Sequence, residues 1–206
     1  QDGHVDLAGI DRIVTARTKV ALVQRSRGYS EREPLSIEDI RAVSARIKAA
    51  NPSCVVFVDN CYGEFVDTVE PTEIPTVDIM AGSLIKNPGG GLAPTGGYIA
   101  GRSDLVEMAS YRLTAPGMGD ELGASLISNR LLFQGLFLAP HVVAQALKGA
   151  VFAAGIFEGL GCHTFPRFTD ARSDIIQAIV LGDAERMKAF ARAIQAMSPV
   201  DSFAAP

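Results

Sequence analysis

The stretch Cys54-Val55-Val56-Phe57-Val58 constrains this chain more than any other, because it is apolar, mostly β-branched, without polar alternation, and closed by an acid, Asp59. Such a run predicts a strand buried on both faces, as in a parallel sheet covered by helices. What precedes it agrees. Val20-Ala21-Leu22-Val23 is a second compact apolar strand. Between the two, Ile37, Ile40, Val43 and Ile47 recur at helical spacing behind Ser36-Ile37-Glu38-Asp39, a capping-box start with Asp in place of the usual Glu. Asn51-Pro52 closes that helix. Strand, helix and strand with short connections make a βαβ unit, whose crossover is right-handed.

The alternation continues. Leu7 to Ala16 reads as a short helix with Leu7, Ile10, Ile13 and Val14 on one face. Val77 to Ala81 is the next strand, and Gly97-Tyr98-Ile99-Ala100 follows after a Gly/Pro-rich loop too short for a crossover helix, which makes it antiparallel. From Ser103 the pattern turns helical: Ser103 to Arg112, Gly119 to Gln134, and Pro140 to Leu160, the last with Pro near its N-terminus. Asp174 to Leu181 reads as a strand, and Asp183 to Met197 as an amphipathic helix N-capped by Asp183. The expected fold is α/β, a mostly parallel sheet with helices on both faces. Residues 1–160 form its larger part and residues 161–206 the start of a smaller α/β domain.

Composition serves mainly to exclude. The chain has 206 residues, a net charge of −4 and no run of Lys and Arg, so no nucleic-acid partner is expected. Cys54, Cys61 and Cys162 form neither a CxxC pair nor an even framework, which fits a reducing compartment. No charged-then-apolar signal opens the chain. Gln145, Lys148 and Glu158 interrupt the longest apolar stretch, which reads as a buried helix and not a membrane span. A soluble cytoplasmic protein with no membrane partner is the expectation. His4, His141 and His163 lack metal-ligand spacing, so no metal is expected. The absence of an initiator Met, and a stop straight after a helix, read as the ends of a cut piece.

Two residues stand where chemistry is expected. Asp59 directly follows a buried strand, and Lys86 lies just beyond the strand ending near Ala81. Ligands of open α/β sheets bind outside the carboxyl ends of the strands. Pyridoxal 5′-phosphate chemistry needs this pair: a Lys to form a Schiff base with the cofactor aldehyde, and an Asp to keep the pyridine nitrogen protonated. Ser83, three residues before the lysine, is placed to hydrogen-bond the phosphate. Taken singly, an Asp after a strand is more often a turn or cap residue, and a Lys in a glycine-rich loop a solvated charge. Gly89-Gly90-Gly91 lacks the order of a phosphate-binding P-loop and reads as a sharp backbone turn. Arg25 and Arg27 face either an anionic ligand or solvent, and Cys61 reads as a packing residue.

The combination carries a resemblance. Asp59-Asn60-Cys61-Tyr62, followed by Gly82-Ser83-Leu84-Ile85-Lys86-Asn87-Pro88-Gly89-Gly90-Gly91, resembles the fold-type-I pyridoxal-phosphate enzymes of cysteine and methionine metabolism. More narrowly, the chain is similar to the methionine gamma-lyase-like family often called aluminium resistance protein. Ser83 to Gly101, Gln24 to Tyr29 and Tyr111 to Gly117 carry that likeness. The resemblance implies that Lys86 is the Schiff-base lysine, Asp59 the partner of the ring nitrogen, Ser83 a phosphate ligand and Tyr62 part of the cofactor pocket. It implies a carbon–sulfur lyase acting on a small sulfur amino acid, and a homodimer or homotetramer. Residues 1–160 would be the central part of the cofactor-binding domain. Alternatives are another pyridoxal-phosphate reaction, of aminotransferase or aldolase type, or a non-catalytic structural fragment. Such enzymes are about twice this length, and an earlier glycine-rich phosphate turn, a ring-stacking aromatic and a C-terminal carboxylate-binding arginine have no counterpart here. Ile85 also stands where the wider family often has a hydroxyl residue.

Overall fold

The computed structural model describes residues 5–113, 116–121, 123 and 129–204, which divide into two compact units. The first comprises Gln1–Lys148 with Ala171–Ile176. Its elements are helix α1 (Leu7–Ile13), strand β1 (Val20–Gln24), helix α2 (Ile37–Ala50), strands β2 (Val55–Asp59), β3 (Ile79–Ser83) and β4 (Gly97–Gly101), helix α3 (Ser103–Leu113) and the first part of helix α4 (Asn129–Gly159). The sheet order is β1-β2-β3-β4, with β1, β2 and β3 parallel and β4 antiparallel to β3. The mostly parallel α/β sheet read from the sequence is present, with the last strand reversed as the short loop requires.

Local chemistry explains these elements. Ser36 caps α2 through a full capping box: its hydroxyl accepts from Asp39 N–H while the Asp39 carboxylate accepts from Ser36 N–H. Ile37, Ile40, Val43 and Ile47 turn inward as their spacing predicts, and meet Val23, Val56 and Val58 in one apolar core. Asp78, buried at the head of β3, accepts from Val56 N–H, Lys48 Nζ and Arg102 Nη1. It joins three strands and α2 in a single polar knot.

Two expectations change. The run Val55–Val58 alternates in burial: Val56 and Val58 are fully buried, while Val55 and Phe57 are only half-buried. In edge strand β1, Val20 and Leu22 are exposed. Helices α1 and α2 cover only one face here, and an apolar run cannot report that its outer face is left open. The second change concerns Pro140. Two helices were expected, Gly119 to Gln134 and Pro140 to Leu160, whereas one helix runs from Asn129 to Gly159 with Pro140 inside. The missing N–H and the ring clash disfavour this locally; the flanking turns offset it by burying Gly135, Ala139 and Val143. Residues 119–121 form a turn, and residues 122 and 124–128 of the expected first helix lie outside the described residues. α4 is apolar and long enough to cross a membrane by length and composition alone, with a mean hydropathy of 1.4 over its most apolar stretch, 17% of it buried.

The second unit comprises Gly149–Asp170 with Gln177–Pro206. Strands β5 (His163–Phe165) and β6 (Ala178–Val180) pair antiparallel, and helix α5 (Ala184–Met197) starts from Asp183, whose carboxylate accepts from Arg186 N–H. Phe157 and Phe190 meet edge to face at 5.7 Å. The expected strand from Asp174 shrinks to Ala178–Val180, and Ala171–Ile176 belongs to the first unit. There the Asp174 carboxylate accepts from Ser26 Oγ and Arg27 N–H, while Ile175 N–H donates to Tyr62 C=O and Ile176 N–H to Asp174 Oδ1, so these backbone donors are used outside a strand ladder.

Candidate functional site

The register of the sheet builds the site. Asp59 pairs with Ala81, so β2 and β3 end side by side. After Asp59 the chain turns at once: Gly63 N–H donates to Asn60 C=O, and Tyr62 takes the left-handed conformation at φ 70°. The Asp59 carboxylate accepts from Cys61 N–H at 3.1 Å. After Ser83 a second turn follows, in which Lys86 N–H donates to Ser83 C=O and Lys86 opens a 3₁₀ turn over Asn87–Gly89.

These turns bring the predicted residues together. Lys86 Nζ lies 4.2 Å from the centre of the Tyr62 ring, a cation–π contact. The Cys61 side chain also interacts electrostatically with the Lys86 amine, and Cys61 N–H is held by Asp59, so Asp59, Cys61, Lys86 and Tyr62 are neighbours. Ser83 sits at the base of the same turn, its Oγ accepting from Ile85 N–H at 3.4 Å. All four predicted site residues are therefore at one end of the sheet, partly buried. Beside Lys86 is a cavity of about 260 Å³ with Tyr62, Ile85, Asn87, Val142, Val143 and Ile175 in its wall. A larger depression of about 570 Å³ runs along β1 with Thr18, Gln24 and Arg32 as its polar lining, and brings together no acid with a base.

Electrostatics differ within the cluster. Burial disfavours the Lys86 ammonium, but the contacts with Cys61 and Tyr62 outweigh it and hold the group above the ordinary lysine value. Burial raises the Cys61 thiol, and the Asp59 carboxylate raises it further, so at neutral pH it is a neutral thiol. Lys86 is then an ammonium with a thiol, not a thiolate, at its side.

A buried polar network lies behind this cluster. Arg25 is fully buried; its Nη1 donates to Asn60 Oδ1 at 2.9 Å and lies 3.6 Å from Glu70 Oε2. Asn60 Nδ2 donates to Glu70 Oε2, and Tyr98 Oη donates to Glu64 Oε1 at 2.8 Å. Asn87, next to Lys86, donates from Nδ2 to the Glu64 carbonyl at 2.9 Å. Sequence reasoning missed this network and the bridging place of Cys61. Arg25 and Arg27, read as facing a ligand or solvent, are buried. The one available signal was the density of charged and amide residues in Arg25, Asn60, Glu64 and Glu70 beside strand ends, which pattern alone does not connect.

Gly90 and Gly91 take φ 54° and 75°, as a sharp turn demands. Gly90 has a second reason to be glycine: a Cβ there would lie 2.2 Å from the carbonyl oxygen of Gly135 in α4. The Lys86 turn therefore rests backbone to backbone on that helix.

The family described as methionine gamma-lyase matches the chain over residues 1–206. The uncharacterized protein YnbB of Bacillus subtilis (strain 168) is 48% identical over 206 residues, all of this chain and 49% of the relative. A solved structure from Listeria monocytogenes, described provisionally as a cystathionine beta-lyase involved in aluminum resistance, is 52% identical with a TM-score of 0.94, and the match covers 100% of this chain and 50% of that one. A carbon-sulfur lyase involved in aluminum resistance from Clostridium novyi is 45% identical with a TM-score of 0.93, over 100% of this chain and 49% of that one. The chain thus spans about half the length of these relatives. Cystathionine gamma-lyase from yeast, 17% identical with a TM-score of 0.56 over 77% of this chain and 38% of that one, shows the shared fold alone.

Proposed function

The chain belongs to the methionine gamma-lyase family, and on that premise we propose that it is the part of a pyridoxal 5′-phosphate-dependent carbon–sulfur lyase that carries the reactive lysine, Lys86. The observation that carries the reading is the delivery of the Lys86 amine and the Asp59 carboxylate to one end of the sheet by neighbouring parallel strands. The donor set fits the cofactor: an amine for its aldehyde, a carboxylate for its ring nitrogen, the Ser83 hydroxyl for its phosphate and the Tyr62 ring as a wall. When bound, the cofactor supplies an electron sink for the carbanion that forms at the substrate α-carbon.

The chain's own groups do the rest. With its ammonium deprotonated, Lys86 would hold the cofactor through Nζ and would serve as the general base for the substrate α-proton. Asp59 would keep the ring nitrogen protonated. Tyr62 and the apolar wall of Val142, Val143 and Ile175 exclude water from the Lys86 side. The substrate is a small sulfur amino acid that leaves a thiol. We place the protein in the cytoplasm as a homo-oligomer. The half-length match to its relatives favours a second reading, in which this piece keeps the fold and the lysine but does not catalyse by itself.

The test is the visible absorption spectrum with pyridoxal 5′-phosphate, before and after borohydride, for the wild type and Lys86→Ala. A borohydride-stable adduct on the Lys86 peptide, absent from Lys86→Ala, is expected. An adduct spread over other lysines, or unchanged by the substitution, would overturn the assignment. A panel scoring thiol, keto-acid and aldehyde products then separates lyase from aminotransferase and aldolase chemistry.

A further inference from the structure

Glu64 is 3% exposed, yet it touches three separate pieces of the site. Its backbone carbonyl accepts from Asn87 Nδ2, which ties down the Lys86 turn. Its carboxyl accepts from Tyr98 Oη on β4. That carboxyl lies flat on β3, where a Cβ on Gly82 would sit 2.4 Å from Oε1. Glu64 itself belongs to the turn that carries Tyr62, between two residues in left-handed backbone, Tyr62 at φ 70° and Phe65 at φ 61°. Non-glycine residues hold that conformation only where their surroundings over-determine it. Here the tie is Glu70, which accepts from Phe65 N–H and Asn60 Nδ2, and the guanidinium of Arg25, packed so closely under Gly63 that a Cβ there would lie 2.5 Å from Arg25 Nε.

The charges around Glu64 disfavour its ionised state. Arg25 from the end of β1 faces Glu70 and Asp67 from the loop after β2, with Glu64 and the Tyr98 hydroxyl from β4 completing the set. A neutral Glu64 leaves Arg25 facing Glu70 and the exposed Asp67. An ionised Glu64 adds a further negative charge, with Oε2 buried and no donor to it among the described residues.

We propose that Glu64 is a positioning residue that ties the Lys86 turn, through its backbone carbonyl, to the Tyr62 turn, and that burial of its carboxyl holds this arrangement closed while the carboxyl is protonated and loosens it once ionised. Burial raises its pKa to about 7, only partly offset by hydrogen bonds from its own backbone and Tyr98. A carboxyl raised on closing is released on opening. Opening therefore becomes easier as pH climbs from the ordinary value of 4.5 towards 7, and levels off above that. The consequence for function rests on Lys86 being the reactive amine; the clamp itself does not.

Amide hydrogen exchange on the whole chain, without cofactor, reads the clamp directly. Corrected for intrinsic exchange, protection of peptides covering residues 62–65 and 86–90 is expected to fall by about tenfold or more between about pH 5 and 7 and then to level off. In Glu64→Gln, which keeps an acceptor for Tyr98 but cannot ionise, the profile is flat. In Tyr98→Phe, the loss of a donor to the ionised carboxyl moves the levelling-off point to higher pH. A pH-dependent fall that persists in Glu64→Gln, or a wild-type profile that is itself flat, would overturn the proposal. Should Glu64→Gln fail to fold, an unmoved levelling-off point in Tyr98→Phe overturns it equally. Because no cofactor is used, failure here leaves the Lys86 adduct experiment intact, and the reverse holds.

Discussion

Glycine 135 offers a case in which helix propensity and packing predict opposite signs. It lies inside α4, where alanine is intrinsically favoured over glycine by about 1 kcal/mol. A Cβ at Gly135, however, would sit 2.2 Å from the carbonyl oxygen and 2.9 Å from the carbonyl carbon of Gly89, in the turn that follows Lys86. Both partners are backbone, so no flexible side chain can yield. Overpacking of this kind costs about 1–3 kcal/mol, and with two rigid segments in contact the upper end applies. Gly135→Ala should therefore lose a net of about 2 kcal/mol, or roughly 4–8 °C in Tm for a chain of this size. Gly149 in the same helix is the control, since a Cβ there meets nothing within 4 Å. Gly149→Ala should gain about 1 kcal/mol. Thermal and urea unfolding of the two variants beside the wild type give both signs in one experiment. Gly135→Ala as stable as Gly149→Ala would refute the contact between the Lys86 turn and α4. A second readout follows from the displaced turn: the Lys86 adduct should form more slowly in Gly135→Ala and normally in Gly149→Ala.

Two more predictions concern the framework. Ser36→Ala removes one half of the capping box of α2 and should cost about 1 kcal/mol in urea unfolding; an unchanged midpoint would mean that tertiary packing alone holds that helix end. Asp78 is held below the ordinary carboxylate range, because hydrogen bonds from Lys48, Val56 N–H and Arg102 outweigh the burial that opposes ionisation. Its stabilisation is present at neutral pH and is lost as pH falls below the ordinary value of 3.8 through the lower folded one. Asp78→Asn should cost about 3 kcal/mol, the low end for a buried pair because Arg102 is half exposed, and should flatten the acid limb of the stability profile. An unaltered acid limb would show that other carboxylates dominate it.

The βαβ unit, the reversed fourth strand and the capping box were legible because each is a local or near-local pattern: apolar spacing, a short loop, a Ser three residues before an Asp. The candidate pair was legible for a similar reason, since Asp59 and Lys86 each end a strand. Cys61 was not. Its place between them depends on the register that sets Asp59 beside Ala81, and on a left-handed Tyr62, neither of which spacing encodes. Arg25 read as a surface or ligand-facing residue because charge is ordinarily solvated; its burial depends on Asn60 and Glu70, far away along the chain. Pro140 read as a helix start because proline disfavours a helix interior, a local preference that burial of the flanking turns overrides.

By itself the sequence determined which segments are strands and helices along the first half of the chain, and that an amine and a carboxylate wait at neighbouring strand ends. Those properties follow from short-range sterics and from the period of apolar residues, which act within a few residues. Tertiary structure alone decided that the Lys86 turn lies on the backbone of α4, that Cys61 comes beside both Lys86 and Asp59, and that Glu64 holds both turns from behind. Each of these depends on atoms brought within hydrogen-bonding or van der Waals distance across tens of residues. Such forces act over a few ångströms in space and leave no period in the chain for a reader to find.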